Sequence, residues 1–224
     1  MSEVFEKYYE KGMYCYEAGD YAEAVIWIGK AAELGHIGAQ NSLGYLYYFG
    51  KGVEKDESVA VEWYRKAAEG GLAKAMYNLA VSYQNGVGVE KDESIAVEWH
   101  KKAAELGHGG AQYDLGVLYY YGIGTEQDYS ETFKWFTKSA EQGNVKAQKG
   151  LGDCYFDGNG VEKDQAEAIK WYTKAAERGY DKAQYSLGYC YYYGDGVERD
   201  LETAKKWYDK ALAQNSNGVK ITFM

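Results

Sequence analysis

Tryptophan occurs six times in this chain, at Trp27, Trp63, Trp99, Trp135, Trp171 and Trp207, and every interval is 36 residues. Other columns keep the same step, among them Ala39, Ala75, Ala111, Ala147 and Ala183, and Gly50, Gly86, Gly122, Gly158 and Gly194. Self-similarity at this period marks a solenoid or array, whose units bury their apolar faces against their neighbours instead of in one closed core. The pattern runs through all 224 residues with no proline and no low-complexity stretch, so a single continuous domain is expected.

Residues 36–71 show what one unit does. Ala39, Leu43, Leu46 and Tyr47 recur at helical spacing and define one apolar face. Gly50 and Gly52 stop that helix, Val53, Glu54 and Lys55 form a connector, and Asp56 is placed to cap a second helix. Asp20, Asp92, Asp128, Asp164 and Asp200 repeat the cap, and a Glu three residues on predicts capping boxes at Asp20/Glu23, Asp128/Glu131 and Asp164/Glu167. The second helix carries Ala60, Trp63, Tyr64 and Ala67 on its packing face, with Glu62, Arg65 and Glu69 opposite. Two helices per unit give an all-α solenoid of six helical hairpins and about twelve antiparallel helices. The units are 1–35, 36–71, 72–107, 108–143, 144–179 and 180–215, followed by a tail at 216–224.

The column pattern AQxxLGxLYyxGxGVEKDxxxAxxWyxKAAExG resembles the Sel-one-like repeat family, a relative of the tetratricopeptide repeats, over residues 36–215. The first unit lacks the Gly-x-Gly-Val connector and, with Gly12, Gly19, Asp20, Tyr21, Ala24 and Ala31, is more similar to an ordinary tetratricopeptide unit. The resemblance implies a right-handed superhelix whose first helices line a concave surface, and the function of an adaptor that assembles protein complexes. A cysteine-rich branch of the family binds or hydrolyses β-lactams, but it repeats paired cysteines in each unit, which this chain does not.

Columns that vary between units on the exposed face are free to serve a partner. Positions equivalent to 41, 45 and 48 project about 160° from the core direction. They read Asn41, Tyr45 and Tyr48; Tyr77, Val81 and Gln84; Tyr113, Val117 and Tyr120; Lys149, Asp153 and Phe156; and Tyr185, Tyr189 and Tyr192. Tyrosine combines a large rigid contact area with a hydrogen-bonding tip, which suits a recognition surface. A protein or peptide is thus the expected partner in a tyrosine-rich groove, with Lys149 and Asp153 setting polarity in the fifth unit. The fixed columns, Tyr47, Tyr83, Tyr119, Tyr155 and Tyr191 together with the tryptophans, are assigned to packing.

A net charge of −9 disfavours phosphate-backbone binding, so nucleic acid is not an expected partner. No apolar run approaches the ~20 residues that cross a bilayer, and acidic residues within the first ten positions do not match a secretory signal. Three cysteines without metal-site spacing, Cys15, Cys154 and Cys190, fit a reducing compartment, and a cytoplasmic monomer is expected. Cys154 and Cys190 share a column and are expected as packed thiols. His36 and His108 are expected as surface turn residues and His100 as a partly buried core residue. No cofactor, metal site or catalytic constellation is expected. Val219, Ile221 and Phe223 leave two roles open to the tail, folding over the last unit or self-association.

Overall fold

The computed structural model describes residues 2–214 and among them contains twelve helices and no strand. They pair as α1 (Ser2–Glu17) with α2 (Tyr21–Glu33), α3 (Ile37–Phe49) with α4 (Glu57–Glu69), and α5 (Ala73–Asn85) with α6 (Glu93–Glu105). There follow α7 (Gly109–Tyr121) with α8 (Tyr129–Glu141), α9 (Val145–Asp157) with α10 (Gln165–Glu177), and α11 (Asp181–Tyr193) with α12 (Leu201–Gln214). The all-α solenoid of six helical hairpins is therefore present. The chain divides into two compact units of several hairpins each, hereafter the first unit, Met1–Ala111 with Ile123–Thr125, and the second unit, Gln112–Gly122 with Glu126–Met224. The tail at 216–224 and its two roles lie outside the described residues.

Helix boundaries follow from local chemistry. The carboxylates of Asp20, Asp56, Asp92, Asp128 and Asp164 accept the backbone N–H three residues on, at 2.9–3.2 Å. The first helix of the second hairpin ends on Gly50, whose φ of 64° lies in the left-handed region open to glycine. The predicted capping boxes close on one side only. The backbone N–H that a reciprocal Glu would need is already donated, by Asp20 to Cys15 O, by Asp128 to Tyr119 O and by Asp164 to Tyr155 O. Glu23 and Glu131 instead accept the indole N–H of Trp27 (2.6 Å) and Trp135 (2.8 Å), while Glu167 accepts from Lys170. Carbonyls of the fixed tyrosine column take that cap N–H in five hairpins, at 2.8–3.0 Å, so these residues brace the turn as well as pack.

Each hairpin is locked where its two helices come closest. A Cβ added at Gly44 would sit 2.8 Å from the Tyr64 ring, at Gly116 2.6 Å from Phe136, at Gly152 2.5 Å from Tyr172, and at Gly188 3.0 Å from Tyr208. The third hairpin departs: Ala80 stands in the glycine column, and the fully buried His100 replaces the larger ring. Successive hairpins meet at the connector. A Cβ at Gly52 would collide with the backbone carbonyl of Tyr21, and the meeting recurs at Gly88 with Glu57, Gly124 with Glu93, Gly160 with Tyr129 and Gly196 with Gln165.

The tryptophans pack, but not by burial alone. Trp63, Trp171 and Trp207 each lie against an apolar cluster built from the second helix of the preceding hairpin and the first helix of their own. Only Trp135 is buried; the other five are half-buried, and in all six the lysine three residues on sits over the ring. The amine-to-centroid distances run from 3.8 Å for Lys174 to 4.6 Å for Lys138. Helical spacing of three residues puts the ammonium on the ring face, where the quadrupole attracts it. Arg65, expected on the solvated face, instead donates to Tyr83 Oη of the next hairpin at 2.8 Å.

Candidate functional site

In the first unit, α1, α3 and α5 contribute to a cavity of about 570 Å³. Tyr45 and Tyr48 stand about one turn apart on α3, Tyr77 faces in from α5, and Tyr16 comes from α1. These three predicted residues, Tyr45, Tyr48 and Tyr77, are thus brought together. Lys51 Nζ lies 3.0 Å from Tyr16 Oη and 5.1–5.3 Å over the rings of Tyr16, Tyr21 and Tyr45. Its hydrogen bond to Tyr16 lowers the pKa of that phenol. Asn41, expected to face a partner, lines the same cavity but is buried, and its Oδ1 accepts from Asn78 Nδ2 at 3.0 Å, tying α3 to α5.

The turn histidines are not plain surface residues. His36 Nδ1 accepts the Ala39 N–H at 2.8 Å and His108 Nδ1 that of Ala111 at 3.1 Å, so each is a helix cap. Each ring also covers a tyrosine of the preceding first helix, His36 on Tyr9 at 4.4 Å and His108 on Tyr77 at 4.5 Å. His100, also expected to be only partly buried, is completely enclosed. Its Nε2 lies 3.2 Å from Gln84 Oε1, and its Nδ1 has no hydrogen-bond partner. Burial pushes its pKa down to about 4, with His108 adding to the shift.

The second unit holds a smaller cavity, about 230 Å³, lined by Tyr113 and Tyr120 of α7 and by Lys149 and Asp153 of α9. Tyr113 stacks on Phe136 at 5.7 Å, and burial pushes its phenol up to about 12, so it stays a donor. Lys149 Nζ is 2.6 Å from Asp153 Oδ2, and Tyr172 Oη donates to Asp153 Oδ1 at 2.8 Å. Burial raises the Asp153 pKa, and these two partners oppose the rise. The remaining predicted residues stand outside this cavity. Phe156 lies 6.3 Å from Tyr189, Tyr185 meets Tyr208 at 5.2 Å, and Tyr189 and Tyr192 both contact Tyr193. Tyr185 and Tyr189 are 49% and 39% exposed.

Cys154 and Cys190 are buried and all three cysteines are free. Burial pushes both buried thiols up to about 12, which leaves them protonated and poorly nucleophilic at neutral pH. Among the described residues no group of three or more His, Cys, Asp or Glu is placed to hold a metal ion, and no helix is long and apolar enough to cross a membrane.

Sequence reasoning passed over Lys74, Lys146 and Lys182, which line the two cavities. They share one column with Gly38 and Gly110, and the signal that separates them is the helix cap. A Cβ at Gly38 would lie 3.0 Å from the His36 ring, and one at Gly110 3.2 Å from the His108 ring. Where the cap is Leu72, Asn144 or Tyr180 the column is free to carry lysine.

None of the curated proteins matches the chain. The family profile described as Sel1 repeat matches six times, at residues 7–36, 37–72, 73–108, 110–144, 145–180 and 181–216. A Sel1 repeat protein from Oxalobacter formigenes is 40% identical, with a TM-score of 0.88 over 93% of this chain and 86% of that one. A protective antigen of uropathogenic Escherichia coli, c5321, described as displaying an SLR fold, is 38% identical with a TM-score of 0.89 over 94% of this chain, which spans 46% of the antigen. The immunity protein Pa5087 from Pseudomonas aeruginosa shares the fold at 22% identity, with a TM-score of 0.51 over 95% of this chain and 83% of that one. Six profile matches from one end of the described residues to the other, with solved relatives of 40% and 38% identity, establish that the chain belongs to the Sel1 repeat family.

Proposed function

We propose that the protein is an interaction scaffold, not a catalyst, and that the tyrosine-bearing first helices take up a segment of a partner polypeptide. The observation that carries this reading is the cavity of about 570 Å³ in the first unit, which Tyr16, Tyr45, Tyr48 and Tyr77 line together. Amphipathic rings with few rotatable bonds give contact area at small entropic cost. The half-exposed rings of Tyr185 and Tyr189 extend the same chemistry to the second unit. Three free thiols support residence in a reducing compartment such as the cytoplasm.

Affinity capture with mass spectrometry tests the reading, using wild type and a Tyr45→Ala/Tyr77→Ala variant whose fold is verified by circular dichroism. A partner retained by wild type and lost by the folded variant is the expected result. Identical capture by both proteins would assign the rings to packing.

A further inference from the structure

The cavity of the second unit is distinguished by its charge. Lys146, Lys149 and Lys182 line it, against Asp153 as its lining carboxylate. That carboxylate is satisfied within the fold, because one oxygen takes Lys149 and the other the Tyr172 hydroxyl. The ammonium groups of Lys146 and Lys182 are exposed and form no ion pair among the described residues. Asp114, Asp157 and Asp181 are not among the lining residues, but they stand close enough for their charges to raise the phenol pKa values of Tyr113, Tyr120 and Tyr180 in the cavity wall. The lining therefore holds two lysines without a direct ion-pair partner in a chain of net charge −9.

Folding does not explain these lysines. They occupy the second position of α9 and α11, where the helix dipole disfavours a cation. Stacking of the repeats does not require them, since Gly38 and Gly110 fill the same column elsewhere. Lys74 recurs in that column beside the tyrosine cavity of the first unit. At about 230 Å³ the space is smaller than the roughly 300–1,000 Å³ of typical small-molecule sites, and fits side chains of a chain passing over it.

We propose that the cavity of the second unit receives an acidic segment of a partner protein, with an aspartate or glutamate carboxylate between Lys146 and Lys182 and an adjacent apolar side chain against Tyr113 and Tyr120. This rests on the scaffold reading and adds the chemistry of the occupant to it. Opposite charge at the mouth of an otherwise acidic chain selects against other segments and speeds encounter.

Selection of a random heptapeptide phage library on the full chain tests the proposal, with parallel selections on Lys146→Glu/Lys182→Glu and on Tyr120→Ala/Tyr121→Ala, Tyr121 being the neighbouring ring in the cavity wall. Wild type should enrich peptides with Asp or Glu beside an apolar residue, and the charge-reversed protein should lose that enrichment. Replacing the acidic residue of a selected synthetic peptide by its amide should weaken binding to wild type about tenfold and leave binding to the charge-reversed protein unchanged. Peptides that are lost on Tyr120→Ala/Tyr121→Ala but show no acidic preference would overturn the proposal and leave the scaffold reading standing. No selected peptide on any of the proteins would count against both. A single-stranded oligonucleotide that binds as tightly as the peptide, with the same lysine dependence, would make the surface a general anion site and overturn the proposal too.

Discussion

The third and fifth hairpins solve one packing problem in two ways. In the fifth, Gly152 makes room for Tyr172, whose hydroxyl reaches Asp153; in the third, Ala80 takes back part of that room and His100 fills the remainder. The fifth gains a phenol that keeps a half-buried carboxylate hydrogen-bonded. The third gains a ring that must stay neutral, with one nitrogen left unpaired. The same backbone thus carries two chemistries, set by a pair of residues 20 positions apart.

Acid should separate the two most strongly. With a folded pKa of about 4 against an ordinary 6.5, the unfolded chain binds a proton at His100 that the folded chain refuses. Its contribution is therefore complete above about pH 6.5 and is lost as pH falls towards 4, about 3 kcal/mol in all. Urea denaturation at pH 7 and pH 4 should show that loss in wild type and a smaller one in Ala80→Gly/His100→Tyr. Equal acid sensitivity of the two proteins would remove the distinction drawn for the third hairpin.

Steric exchange comes next. Gly152→Ala puts a Cβ about 2.5 Å from the Tyr172 ring and should cost about 2 kcal/mol, read as a fall in melting temperature. Adding Tyr172→His should recover part of it, though not all, because Asp153 loses its phenol. A double mutant no better than the single would show that residue size is not what couples the pair.

Outside the lock the two hairpins should answer alike. Asp92→Ala and Asp164→Ala each remove a cap and should each cost about 1 kcal/mol. Lys102→Met and Lys174→Met, which remove the ammonium above Trp99 and Trp171, should each cost about 0.5 kcal/mol. Chemical denaturation that found a marked difference within either pair would extend the contrast beyond the buried ring.

Sequence periodicity was enough to read the hairpins, the aspartate caps and the glycine stops, because each depends on residues a few positions apart. The capping boxes were overread because the donor they need is taken by the carbonyl of Tyr119 or Tyr155, a partner nine residues back across a connector whose path no spacing rule describes. The predicted site was legible in part. Tyr45, Tyr48 and Tyr77 converge as helical geometry requires, but Asn41 is drawn inward by Asn78 of the next repeat, 37 residues away. Lys146 and Lys182 were missed because comparing columns one at a time hides a dependence between two of them: lysine is admitted only where the cap two residues earlier is not histidine.

The connector glycines set a direction as well as a spacing. Each of the five meets a backbone carbonyl 31 residues earlier in the chain. A polypeptide emerging from the ribosome therefore finds the ledge for every new connector already synthesised, and assembly can advance from the amino terminus without waiting for distant sequence.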